Sequence, residues 1–225
     1  GLNIAHEAVD RHAAGPLASR VALRFLSREG GAREISFGEL AEQTNRFANL
    51  LRELGVGKGE RVFALAGRVP ELWIAALGTL KNGSVFCPLF SAFGPEPIRT
   101  RLERGDGRVL VTTDALYARK VEALRPALPL LAHALLVGRD ASAPLRPGTH
   151  DLGERLAAAS PSFEIPPTSP DDPALKCKPK EWEPIVEVQE GPAWAPQIAV
   201  EEGPAWEPKV TVEEAIRLDE TLTQD

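Results

Sequence analysis

The sequence is 225 residues long, 43% hydrophobic and 26% charged, with a formal charge of -6. It holds no run of 18 apolar residues and opens on no basic, apolar-cored leader, which excludes a membrane-spanning helix and a visible secretory signal and sets the expectation of a cytoplasmic protein. Two cysteines, Cys87 and Cys177, exclude a disulfide framework or a cysteine zinc cluster, and the acidic balance gives no reason to expect nucleic acid.

In chain order, Asn3 is placed to cap a helix through His12 with Ile4, Ala8 and Val9 on one face. Val21 to Leu26 reads as a strand. Ser36 and Glu39 form a capping box, in which hydroxyl and carboxylate satisfy free N–H groups at a helix start. The helix behind it carries Leu40, Phe47, Leu50, Leu51 and Leu54 at helical spacing and stops at Gly55. Arg61 to Ala66 is a strand. Pro70 and Glu71 open a helix through Leu80, which Asn82 and Gly83 close. Val85 to Leu89 is a strand, Pro95 to Arg104 a helix, Val109 to Thr112 a strand, Asp114 to Leu124 a helix and Ala132 to Val137 a strand. Strands alternating with helices predict an α/β fold: a partial doubly wound, mainly parallel sheet with flanking helices. Ligands of such sheets bind beyond the carboxyl ends of the strands, here Gly67-Arg68, Phe90 to Phe93 and Thr113-Asp114.

The character of the chain changes near Leu175. Residues 1–175 hold 21 Lys and Arg against 20 Asp and Glu, whereas residues 176–225 hold 5 against 12. Five prolines fall in 161–173 and six more after 175. The organisation this predicts is an α/β domain over 1–160, a proline-rich linker over 161–176, a repeat over 177–212 and a short helix over 213–225.

The repeat consists of three 12-residue units, with Trp182, Trp194 and Trp206 in register, as are Pro184, Pro196 and Pro208. The Pro-x-Trp-x-Pro spacing opposes helix and favours extended backbone, so the fold class ends in an extended, irregular tail. One tryptophan and two or three aliphatics per unit make no core of their own. The tryptophans are therefore expected to anchor on a partner, a larger protein complex or a set of repeated subunits.

Several segments of the first 175 residues carry a family resemblance. Asn3 to His12 resembles the opening of acetyl- and propionyl-CoA synthetases. Phe37-Gly38-Glu39-Leu40, Asn45-Arg46-Phe47-Ala48 and Leu54 to Val62 resemble the stretch that follows in the adenylate-forming acyl-CoA ligases. Pro70-Glu71, Phe93-Gly94-Pro95-Glu96, Arg101-Leu102 and Val109 to Asp114 continue the match in order. The resemblance implies chemistry that joins a carboxylate to the α-phosphate of ATP and then to the thiol of CoA. It also implies CoA contacts at Phe93, Gly94, Arg119 and Lys120, the basic pair facing the 3′-phosphate.

A Gly/Ser/Thr-rich phosphate loop ending in Lys-Gly should follow Pro173-Ala174-Leu175, but the chain reads Lys176-Cys177-Lys178-Pro179-Lys180-Glu181. Lys178-Pro179-Lys180 is either the end of a loop that has lost its body or a chance match. Without placed cations and N–H donors, adenylyl transfer is not expected from this chain alone, so no catalytic residue is assigned. His6, His12, His133 and His150 lack ligand spacing, and no metal site is expected. Cys87 reads as a small buried hydrophobe. The leading expectation is a non-catalytic, synthetase-derived subunit docked through its Trp/Pro tail. The alternative is the CoA-binding half of a split acyl-CoA synthetase (acid–CoA ligase, AMP-forming) completed by another chain.

Overall fold

The computed structural model describes residues 3–26 and 31–175. The Trp/Pro units and the terminal helix expected over 177–225 lie outside the described residues. A π-helical turn, His6–Asp10, runs into a single α-turn, Arg11–Ala13, and the two together form α1. The Asn3 side chain caps it, accepting from the backbone of Ala5 and His6 at 3.0 and 3.3 Å. The buried face differs from the expected one. Ala5 and Val9, four apart, point inward, while Ile4 is 55% exposed and Ala8 is exposed.

β1 (Val21–Leu26) pairs antiparallel with β2 (Ala32–Ser36) in a separate two-stranded sheet. The strand expected at 21–26 exists, but it belongs to a hairpin and not to the parallel sheet. Its partner β2 reads Ala-Arg-Glu-Ile-Ser, too polar to stand out as a strand, and only Ile35 among these is buried. β2 leads straight into α2 (Phe37–Glu53), where the Ser36–Glu39 capping box forms on both sides. α2 buries Leu40, Phe47, Ala48, Leu50 and Leu51. Gly55 takes φ +73°, the left-handed conformation that ends the helix at little steric cost.

The main sheet holds β3 (Arg61–Leu65), β4 (Val85–Pro88), β5 (Val109–Thr113), β6 (His133–Val137) and β7 (Thr149–Asp151), all parallel, in the order β4-β3-β5-β6-β7. α3 (Pro70–Lys81), α4 (Pro95–Arg104), α5 (Asp114–Lys120) and α6 (Leu152–Ala158) connect or follow the strands. Strand side chains alternate between two buried layers, as period-2 geometry requires. Val62, Ala64, Phe86, Val109, Val111 and Leu135 pack with α2, α3 and α6. Phe63, Leu65, Cys87, Leu110, Ala134 and Leu136 pack with α4 and α5. Both faces of the sheet are thus covered, and Cys87 is buried as expected.

α5 stops at Lys120, short of the expected Leu124. The chain continues as a 3-10 turn, Glu122–Ala127, because Pro126 cannot donate to an α-helical ladder. β7 and α6 were not anticipated. β7 spans three residues and has no apolar run; α6 spans seven, and the Asp151 side chain caps it by accepting from the Glu154 amide at 2.9 Å.

The proline-rich segment after α6 lies along the domain. Asn45 and Asn49 donate to the carbonyls of Pro161, Ser160 and Ser162. Arg52 donates to Glu164 and covers the Phe163 ring at 4.2 Å; Lys58 donates to Pro167 and pairs with Asp172. The strap ends on the outer edge of β4, where the Phe86 amide donates to Ala174 at 2.9 Å and Leu175 forms a parallel bridge with Phe86.

Candidate functional site

The strand order places a crevice. From β3 the chain steps outward to β4 and then returns across β3 to β5, so the winding reverses between β3 and β5. At such a switch the connections diverge and leave space beyond the carboxyl ends of the strands. Gly67 and Arg68 follow β3 there, and Thr113 caps α5 there by accepting from the Leu116 amide. A Cβ on Gly67 would meet nothing within 4 Å, and Arg68 is exposed.

The loop after β4 forms the neighbouring wall. Phe90 is 65% exposed and meets the Phe93 ring edge-on, with centroids 5.7 Å apart. The Arg101 guanidinium, from the second turn of α4, lies over the Phe93 ring at 4.4 Å. Gly94 opens α4 in extended geometry with open space around it. Pro95 and Pro97 remove two of the first-turn N–H donors, and Glu96 brings a negative charge. This helix start is therefore a poor anion cradle, and attraction for a phosphate has to come from side-chain cations.

The basic pair divides its work. Lys120 is committed inward: its ammonium donates to the carbonyls of Ser91 and Phe93, both at 2.7 Å. It staples α5 to the loop and fixes where Phe93 sits. Arg119 is exposed and makes no hydrogen bond or ion pair among the described residues. Phe93, Gly94 and Lys120 thus come together, with Arg119 the adjoining cation available to solvent. Phe90 and Arg101 complete the wall. Phe90 was legible in sequence as a large apolar residue just past a strand end; Arg101 was legible only as one of several arginines on an amphipathic helix. The tryptophans and prolines expected to bind a partner, Trp182, Trp194, Trp206, Pro184, Pro196 and Pro208, lie outside the described residues.

A cavity of about 740 Å³ opens elsewhere, between β2, α2 and the β7–α6 turn. Its cations are already matched by carboxylates: Arg33 by Glu71 at 3.3 Å, Arg46 by Glu42 at 2.8 Å, and Arg139 by Asp151 at 3.3 Å. The three arginines of the lining are thus already spent within the protein. Among the described residues, no group of three or more His, Cys, Asp and Glu could hold a metal ion, and no helix is long and apolar enough to cross a membrane.

Comparison with known proteins places this geometry. The model of a family described as AMP-binding enzyme matches residues 9–177. Acetyl-coenzyme A synthetase of Bacillus subtilis is 40% identical over 166 residues, covering 73% of this chain and 27% of that protein. Acetyl-coenzyme A synthetase of Streptomyces coelicolor is 35% identical over 146 residues, covering 61% of this chain and 22% of that one. The crystal structure of a Brucella canis acyl-CoA synthetase superposes with a TM-score of 0.69 at 28% identity, over 78% of this chain and 31% of that one. The chain therefore spans about a quarter of the length of the curated relatives it matches.

Proposed function

Because the chain belongs to the AMP-binding enzyme family, we propose that it supplies the CoA-facing wall of an AMP-forming acid–CoA ligase whose ATP chemistry is completed by residues outside these 225. One observation carries this reading. At the carboxyl edge of the sheet, Phe90 and Phe93 lie together on a loop that Lys120 of α5 holds in place, and its chain neighbour Arg119 is exposed and uncommitted. Phe90 and Phe93 offer flat apolar surface to an adenine ring. Arg119 offers a fork of donors to a phosphate, which a lysine point charge does not. The wall's described contacts are aromatic and cationic, so on this reading its contribution is positioning.

Calorimetric titration of CoA and dephospho-CoA tests the reading. CoA is expected to bind, and dephospho-CoA more weakly by about tenfold, the worth of one or two charge-assisted hydrogen bonds. Arg119→Ala should erase that difference. If neither nucleotide binds, or if Arg119→Ala leaves the difference intact, the reading fails.

A second reading has its own support in the sequence: the 12-residue period that keeps Trp182, Trp194 and Trp206 in register. On that reading the tail docks the domain onto a larger assembly, and the ligase fold serves as a structural subunit. Cross-linking in native lysate should then capture a partner that a chain with all three tryptophans changed to Ala no longer captures. Equal capture by both chains contradicts it.

A further inference from the structure

Two of the four histidines, 17 residues apart in sequence, meet head to head. His133 opens β6 and His150 lies in β7, and their Nδ1 and Nε2 atoms are 3.1 Å apart. The ring centroids are 5.2 Å apart. That is close to this nitrogen separation plus two ring radii, so the nitrogens face one another. One ring donates an N–H and the other must accept with a bare nitrogen. The contact therefore exists only while at least one imidazole is uncharged. The facing lone pair also points at the other ring, which disfavours shared metal coordination.

Around the two half-buried rings, the charged side chains offer a second positive charge little compensation. From the end of α2 comes Glu53, already paired with Arg155 of α6 at 3.0 Å. From the loop before β5 comes Arg108, paired with Glu60 at 2.8 Å. From the 3-10 turn comes Arg125, whose Nη1 is buried without a hydrogen-bond partner and whose Nη2 reaches only the Ala132 carbonyl at 3.5 Å. Both anions in reach are spent on arginines, and Arg125 is one uncompensated cation.

We propose that the His133–His150 pair is an acid-sensitive latch on the β7–α6 corner, closing it while one ring is neutral and opening it when both are charged. Position supports this role. β7 is the three-residue edge strand of the sheet, and α6 follows it directly. This corner is held by the β6–β7 pairing, the Arg155–Glu53 and Arg139–Asp151 ion pairs, Arg46 on the terminal carbonyls of α6 and the burial of Leu152 and Leu156, and the histidine pair adds a cross-strand contact to them. Charging the pair breaks a cross-strand contact and adds repulsion to Arg155, on the element being released.

The protonation equilibria run in the same direction. Burial lowers the affinity of both rings for a proton. Arg108, Arg125 and Arg155 lower that of His133 further, and His133 and Arg155 that of His150, against an opposing effect of Glu53. A group whose folded-state pKa is depressed stabilises the fold above its ordinary pKa. That stability is lost as pH falls below it. The latch is thus closed above about pH 6.5, the unperturbed histidine value, and weakens at more acid pH.

Hydrogen exchange and ring-nitrogen NMR on the 225-residue chain test the latch. Between pH 7.5 and 5.0, opening of the α6 amides and of the Ala134 amide, corrected for intrinsic exchange, should rise about tenfold more than opening of the β3 amides. A tenfold excess is about 1.4 kcal/mol of differential opening. His150→Gln, which keeps hydrogen-bonding capacity beside His133 without titrating, should remove the excess, and so should His133→Gln. Equal excess in wild type and variants would overturn the proposal. Spectra with both imidazoles charged at pH 6 while α6 stays protected would do the same, and they need no variant to fold.

Discussion

Lys81 carries its charge into the protein interior. Its side chain is fully buried, and its ammonium donates to Asp10 at 2.5 Å, Asn45 at 2.7 Å and the Ala41 carbonyl at 3.2 Å. One side chain therefore ties α1, α2 and α3 together. Burial draws its pKa below the usual lysine value, while hydrogen bonding and the charge of Asp10 oppose that shift. Such a pair is weak evidence of net stabilisation, yet breaking it from one side is costly, because the remaining partner stays desolvated. Lys81→Met should cost about 2–4 kcal/mol in denaturant unfolding. This is below the full cost for a deeply buried pair, because Asp10 keeps 21% of its side chain in water. The double variant Asp10→Asn with Lys81→Met should cost less than the sum of the two singles, since both remove one interaction. A single-variant cost under about 0.5 kcal/mol, the size of an ordinary surface change, would refute this account of Lys81.

At the scale of elements, what could be read from sequence was what local chemistry specifies. α2 shows its start in Ser36 and Glu39, its stop in Gly55 and its core in Leu40, Phe47, Leu50 and Leu51. The central strands β3 and β5 carry unbroken apolar runs, 62–65 and 109–111, because both faces are covered, and they read as strands for that reason. Elements specified by distant partners were hidden. β7 is three residues with a polar sequence, and it becomes a strand because β6 presents an edge to it. The capping pattern of Asp151 and Glu154 was a legible signal for α6, but it follows no long apolar run. Gly78 lies inside α3. Its missing side chain lets α3 lie against α2, where a Cβ would come within 2.8 Å of Phe47 and 2.9 Å of the Thr44 carbonyl. In the candidate site, sequence marked Phe93, Gly94, Arg119 and Lys120 as a group. It could not separate an arginine facing water from a lysine bonded to two carbonyls, because that difference depends on how the loop folds. The facing of His133 and His150 depends likewise on β6–β7 register.

At the scale of the whole molecule, the described residues form a sheet with two covered faces and a winding reversal between β3 and β5. That architecture needs no bound nucleotide to close its core. The chemistry of an acid–CoA ligase makes a further demand. Charge developing on a transferred adenylyl group must be met by preorganised cations and N–H donors. On the proposed reading, the wall built around Phe90, Phe93, Arg101 and Arg119 orients CoA, and the α-phosphate of ATP is met by other residues. The role proposed for this chain is to position CoA for chemistry supplied by other residues. The most direct test is to incubate the purified 225-residue chain with ATP, acetate and CoA and to measure AMP. No AMP above the enzyme-free control is predicted, and AMP formed in proportion to the amount of chain would contradict the account.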